Sequence, residues 1–219
     1  MTTGGLLPAT QTPLHLGDAS PIAEGSSRWV YEHPENPEQL VKVLKYHWSG
    51  SSAEALLHPA RVIKSRFKFA RFMREVHHFV ALTEQAQDPM VDHLPAFNGL
   101  VQTDRGYGMI VERLSDKNGQ LAPTLKKLIR TGRFKPDYAE PLELFIERML
   151  SSPVVIGDLN LKNLVLTRRD DQRVFALIDG MGDSTVIPVL AMSQALNNRR
   201  KRFFAERLRA KLRQALAAD

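Results

Sequence analysis

Three side chains in the second half of the chain are of types and spacing that could do chemistry together. Asp158 and Asn163 stand five residues apart in the run Gly157-Asp158-Leu159-Asn160-Leu161-Lys162-Asn163, and Asp179 closes the apolar stretch that begins at Val174. Between them, apolar Leu164 to Leu166, a charged turn from Arg168 to Arg173 and apolar Val174 to Ile178 predict a β-hairpin. Antiparallel pairing returns the end of the second strand to the start of the first. Asn163 and Asp179 are therefore expected side by side, with Asp158 on the entering loop. Such oxygen ligands suit a hard cation, since Mg²⁺ takes one or two carboxylates together with phosphate oxygens and water. Phosphoryl transfer needs this kind of site: the protein neutralises the polyphosphate, holds the donor in line and orients the accepting hydroxyl. Taken alone, an Asp-x-x-x-x-Asn pair in a loop equally fits ordinary turn chemistry.

The elements that must position these residues can be read from periodicity. Leu14 to Leu16, Trp29 to Tyr31 and Leu40 to Leu44 read as strands, the last two separated by the turn-forming His33 to Pro37. Leu100 to Thr103 and Tyr107 to Val111, joined through Asp104, Arg105 and Gly106, complete a sheet of about five strands. A loop of Ser, Gly and Ala at Ser49 to Ala53 precedes a long helix from about Pro59 to Thr83. On that helix Phe72, Val76 and Phe79 recur at helical spacing, and Glu75 falls on the same stripe. A carboxylate there either sits exposed at the stripe's edge or is buried against a cation from another element. Pro141 to Ser152 reads as a helix with Leu142, Phe145, Ile146 and Met149 on one side, and a basic helical stretch runs from about Val189 to Ala217.

The bulk numbers set bounds on this reading. The chain has 219 residues, 43% of them apolar, enough for one large domain or a two-lobed one, and no run approaches the roughly 20 apolar residues of a membrane span. Residues 1–13 read as a loose tail rather than a signal peptide, and zero cysteines fit a reducing compartment, so a cytoplasmic location is expected. The net charge of +6 is unevenly placed. Arg61, Lys64, Arg66, Lys68, Arg71 and Arg74 carry six positive charges, and the stretch Arg199 to Arg213 carries eight against the single Glu206. Each cluster reads either as a solvated helix face or as a surface for an anionic partner, with nucleic acid the least favoured. Phe203 and Phe204 are expected as core anchors with Leu208, Leu212 and Leu216 rather than as base-stacking platforms. His77 and His78, about 100° apart on a helix, cannot face one metal together.

The ordered motifs resemble the protein kinase-like superfamily, particularly its bacterial small-molecule and lipopolysaccharide kinase branches. Gly157 to Asn163 is similar to the catalytic loop, and Ile178-Asp179-Gly180 to the segment carrying the metal-binding aspartate. Leu40-Val41-Lys42-Val43 resembles the third-strand lysine motif, and Arg74-Glu75-Val76 the helix whose glutamate pairs with that lysine. Ala23 to Tyr31 lies where the phosphate-covering loop belongs and keeps only Gly25 of its three glycines. Gly108 to Leu114 is similar to the strand and hinge that contact adenine. More narrowly, residues 14–204 resemble the YrbL-type family of the PhoP regulatory network, on Lys42 to His47, Arg74-Glu75, Leu94-Pro95 with Thr103-Asp104, the Asp158 loop and Asp179 to Pro188.

The resemblance implies an α+β, bilobal kinase-like fold: an N-lobe over 14–114 with a small antiparallel sheet and one long helix, and a reduced, mostly helical C-lobe over 115–219. It implies ATP and Mg²⁺ as cofactors, with Lys42 on the phosphates braced by Glu75 and Gly25 in the covering loop. Backbone groups of Glu112 and Leu114 would meet adenine, Asn163 and Asp179 the metal, and Asp158 would act as base, with Asp183 an auxiliary ligand. Ile156 replaces the histidine of the protein kinase loop, and Gly180-Met181 replaces Phe-Gly after the metal-binding aspartate. Forty residues follow Asp179, without an Ala-Pro-Glu motif, so a small-molecule, sugar or lipid-linked hydroxyl is expected as acceptor rather than a protein. A catalytically inactive nucleotide-binding regulator remains the alternative.

Overall fold

A computed structural model describes residues 13–25, 27–45, 59–84, 88–182 and 189–217. Five antiparallel strands form one sheet: β1 (Ala23–Glu24), β2 (Arg28–Glu32), β3 (Gln39–Leu44), β4 (Phe97–Thr103) and β5 (Gly106–Glu112), in the order β1-β2-β3-β5-β4. The 26-residue helix α1 (Pro59–Glu84) lies in sequence between β3 and β4 and packs against β3. Beyond the sheet come α2 (Leu125–Arg130), α3 (Ala139–Ser151), the hairpin β6 (Leu164–Arg169) and β7 (Gln172–Leu177), α4 (Val189–Met192) and α5 (Gln194–Leu216). No described helix is long and apolar enough to cross a membrane.

The period of two along β3 sorts its side chains between two cores. Leu40 and Leu44 join α1 residues Phe72, Val76 and Phe79 and the α3 stripe Leu142, Phe145, Ile146 and Met149 in the main cluster. Val41 and Val43 turn the other way and pack with Tyr31 and Leu16. Lys42 shares the face of Leu40 and Leu44, and its strand partners are Val30 and Met109. An alternating strand has thus delivered one ammonium into the space between the sheet and the rest of the molecule.

Two expectations need correction. Leu14 to Leu16 is not a strand of the sheet but makes a single parallel bridge from Leu14 to Thr103, and the edge strand is Ala23–Glu24 instead. The Asp104 carboxylate accepts from the Leu16 and Gly17 N–H groups at 3.0 and 3.1 Å, and Gly17 adopts φ +54°, which ends the extended run. The second concerns Phe203, which is 55% exposed while Phe204 is buried; neighbours on a helix point about 100° apart and cannot share one core. The loop at Ser49 to Ala53 and residues 1–12 of the tail lie outside the described residues.

The hairpin is tighter than the charged stretch suggested. Strands β6 and β7 pair through Arg169 and Gln172, leaving Asp170 and Asp171 alone in the turn at φ +46° and +64°. Positive φ at both central positions is the two-residue turn whose twist matches paired strands, and aspartate tolerates it. At the open end the Ile178 N–H donates to the Asn163 carbonyl at 2.8 Å.

Candidate functional site

The loop ahead of β6 is anchored by Leu159 in the main core and closed by backbone hydrogen bonds. The Gly157 and Asp158 N–H groups both donate to the Gly180 carbonyl, at 2.9 and 3.2 Å. Asn163 Nδ2 donates to the Asp158 carbonyl at 3.1 Å, and its Oδ1 accepts no hydrogen bond among the described residues. Asn160 Nδ2 donates to Asp158 Oδ2 at 3.2 Å, so the exposed carboxylate keeps its other oxygen open. Gly180 has φ +97°, and a Cβ there would lie 2.1 Å from the Asp158 carbonyl oxygen. Only glycine allows the two segments to meet this closely. Asp158, Asn163 and Asp179 thus gather at the hairpin's open end, while Asp183 lies outside the described residues.

A buried charge cluster faces them. Glu75, 2% exposed, is ion-paired directly with Arg28, and Lys42 Nζ stands 3.9 Å from its other oxygen. The Lys42 ammonium also donates to the Ile178 carbonyl at 2.5 Å, tying β3 to the hairpin. Arg28 Nη1 reaches to 3.9 Å from Asp179 Oδ1. Burial pushes Lys42 below the ordinary lysine range against the pull of Glu75 and Asp179, with the Arg28 charge adding to the depression. Burial alone would raise Asp179, yet Arg28, Lys42, the Gly180 N–H and Arg71 together hold it below the usual carboxylate range. Asp179 therefore stays ionised beside two cations.

In the sequence Arg28 stands only within the covering-loop stretch. Aligned on Val30, the run from Ala23 puts Gly25 at the second glycine position of that loop and Arg28 at the third. Strand register carried the missing signal: Val30 pairs with Lys42, so Arg28, two residues earlier, shares the face of the lysine.

Cluster and loop border one cavity of about 610 Å³. Ile22, Val30, Leu40, Val111, Leu114 and Val165 give it an apolar part. Arg28, Lys42, Asp158, Asn163 and Asp179 line its charged part, and Gly25 lies at the turn from β1 to β2 on its wall. The Leu114 carbonyl accepts from the Ala122 N–H at 2.9 Å, and the Leu114 N–H has no acceptor among the described residues. Glu112 is placed differently. Its carboxylate is bound by the Arg169 fork and by the Ala96 N–H at 3.0 Å, which outweigh burial and hold it below the usual range. The side chain ties β5 to the hairpin, and the Glu112 N–H donates to the Ala96 carbonyl at 2.9 Å.

Sheet order, one buried strand lysine, a helix glutamate and the paired Asp/Asn and Asp segments define a protein kinase-like fold. The chain belongs to the family described as PhoP regulatory network protein YrbL, whose model matches residues 14–213. It is similar to the uncharacterized YrbL proteins of Escherichia coli (strain K12) and Shigella flexneri. In each case it is 24% identical over 185 residues, covering 83% of this chain and 79% of the relative. Among solved structures it is similar to Rad53 1-466 in complex with AMP-PNP, at 14% identity and a TM-score of 0.44, over 74% of this chain and 37% of that one.

Proposed function

We propose that the protein binds ATP with Mg²⁺ in the cavity between sheet and hairpin, at the junction of lobes 14–114 and 115–219, and passes the γ-phosphoryl group to a hydroxyl. The acceptor is a small molecule, a sugar or a lipid-linked alcohol, and the setting is the cytoplasm, in keeping with the absence of cysteine. The observation that carries this reading is the division of the cavity. It has an apolar part suited to a base and a charged part where two cations and the Asp179 and Asn163 oxygens converge. Arg28 Nε and Nη1 are buried without hydrogen-bond partners among the described residues, and as donors they suit the oxygens of a polyanion.

In this reading Lys42 and Arg28 bind the phosphate oxygens and Glu75 holds both cations in place. Asp179 and Asn163 Oδ1 would hold Mg²⁺, which when bound neutralises charge on the phosphate oxygens. Asp158 takes the proton of the accepting hydroxyl through its uncommitted oxygen. Calorimetric titration with AMP-PNP and Mg²⁺ tests the assignment: Asp179→Asn should abolish metal-dependent binding, and unchanged affinity would remove Asp179 from the site. Asp158→Asn should bind AMP-PNP normally and lose roughly 10²- to 10⁴-fold in ATP turnover, the span of a general base.

A second reading, a nucleotide-binding regulator without phosphotransfer, draws on the same cluster. Arg28 holds the direct bond to Glu75 while Lys42 stays 3.9 Å away. Stabilisation by Mg-ATP with no consumption of ATP would favour it.

A further inference from the structure

Helix α5 does not use its positive charges as one solvated face. Lys201 is fully buried and donates to the Ser152 carbonyl at 2.6 Å, and Arg209 is ion-paired with Glu143. Arg200, Arg207 and Lys211 fall on a separate line, since steps of seven and four residues keep side chains on one side of a helix. That line borders a second cavity, of about 730 Å³, whose opposite wall is the loop after Asp158 and the start of α2. Lys162 and Lys126 join from that side, giving five cations around a space where Asp158 is the one acid.

Among the described residues, none of the five is in an ion pair. Arg200 is fixed in place: its Nη2 donates to the Gly157 carbonyl at 2.5 Å and its guanidinium lies 5.3 Å from the centre of the Phe204 ring. Its Nε is buried without a partner. The Arg207 guanidinium stands 5.7 Å from the centre of the Phe203 ring, and that ring, with Leu159 and Leu161, adds apolar surface to the cavity. Like charges gathered in a concave site repel one another until an anion enters, and arginine forks suit an oxyanion. Carbon skeletons need the apolar part, and a volume of this size holds a molecule as large as a phosphorylated sugar.

We propose that this second cavity is the acceptor site and takes a hydroxy compound bearing a phosphate group. Arg207, Lys211 and Lys126 hold the phosphate, and the hydroxyl is presented to Asp158. The inference rests on the reading of Asp158 as the base. The hydroxyl oxygen forms a bond to the γ-phosphorus of ATP while its proton passes to the Asp158 carboxylate. The bond from that phosphorus to the bridging oxygen breaks, its electron pair leaving with ADP, and Asp158 releases the proton to solvent. The product carries one more phosphate than the acceptor. Free polyol or sugar phosphates and lipid headgroups share this chemistry.

Two probes separate these sources. Glycerol 3-phosphate, with glycerol as the uncharged control, is titrated calorimetrically, and phosphatidylcholine vesicles with and without phosphatidylglycerol are tested by co-sedimentation. Each is applied to the wild type, to the exposed pair Arg207→Ser/Lys211→Ser, and to Lys126→Ser on a different element, with AMP-PNP affinity measured in parallel. The expected result is binding of a phosphate-bearing probe but not of glycerol, weakened about tenfold or more in both variants at unchanged AMP-PNP affinity. Binding of the soluble probe assigns a free metabolite, and binding of anionic vesicles alone assigns a headgroup. Absence of both, or binding that the variants leave unchanged, overturns the proposal. Probe binding that depends on these residues in a protein that ignores AMP-PNP would sink the nucleotide reading and leave the phosphate site standing.

Discussion

Glu75 neutralises two buried cations, and the three charges cannot be judged in pairs. Removing the carboxylate leaves Arg28 and Lys42 facing each other in a space where both are less than 10% exposed. Removing Arg28 instead leaves Glu75 with Lys42 close enough to swing onto it. Glu75→Ala should therefore cost roughly 3 to 5 kcal/mol in urea unfolding, the range for an orphaned buried charge, and Arg28→Met clearly less. Equal losses would mean that the pairs act independently. The sequence left Glu75 two places, exposed at the stripe's edge or buried against a cation, because a carboxylate among Phe72, Val76 and Phe79 is buried only when paired. The identity of its closest partner was not legible, because Arg28 occupies a position read as covering loop and reveals its face only through strand register.

At the scale of elements, the meeting of the Asp158 loop with the Asp179 segment depends on Gly180. A methyl group would stand 2.1 Å from a backbone oxygen at a φ of +97°, so it cannot be relieved by turning a side chain. Gly180→Ala should lower stability by about 2 kcal/mol or more and weaken AMP-PNP binding with it, read from unfolding curves and titration. A variant with native stability and affinity would show that the loops approach less closely than described. Hairpin, long helix and sheet were legible here because each has a strong period and flanking turn signals. What failed was local. Leu14 to Leu16 has strand composition, yet the distant Asp104 carboxylate captures its backbone, a contact between residues 88 apart that no local pattern carries. The helical stretch expected from Val189 to Ala217 breaks at Ser193, whose hydroxyl caps α5 by accepting from the Leu196 N–H.

For the molecule as a whole, the buried Lys201 makes stability depend on pH. Burial lowers its ammonium to about 8, against the attraction of Asp88, whereas an unfolded chain keeps the proton to roughly 10.4. Between those values the unfolded state binds more protons than the native one, so stability rises with pH, by at most about 1.4 kcal/mol per pH unit. Compared with Lys201→Met, the wild type should gain ground from pH 8 to pH 10 and hold a constant difference below pH 8, measured by urea unfolding of both proteins. A difference that does not vary with pH would mean that this ammonium ionises normally. Charge counting flagged the C-terminal helix but could not divide it, since burial, ion pairing and exposure are decided by what each turn packs against.

Among the described residues, the two cavities have only Asp158 and Lys162 in common. A change at either residue is therefore felt in both cavities, and under the proposed function a defect there cannot be assigned to donor or acceptor by its position. Lys42 and Arg207 each border a single cavity, so a change at one leaves the lining of the other intact.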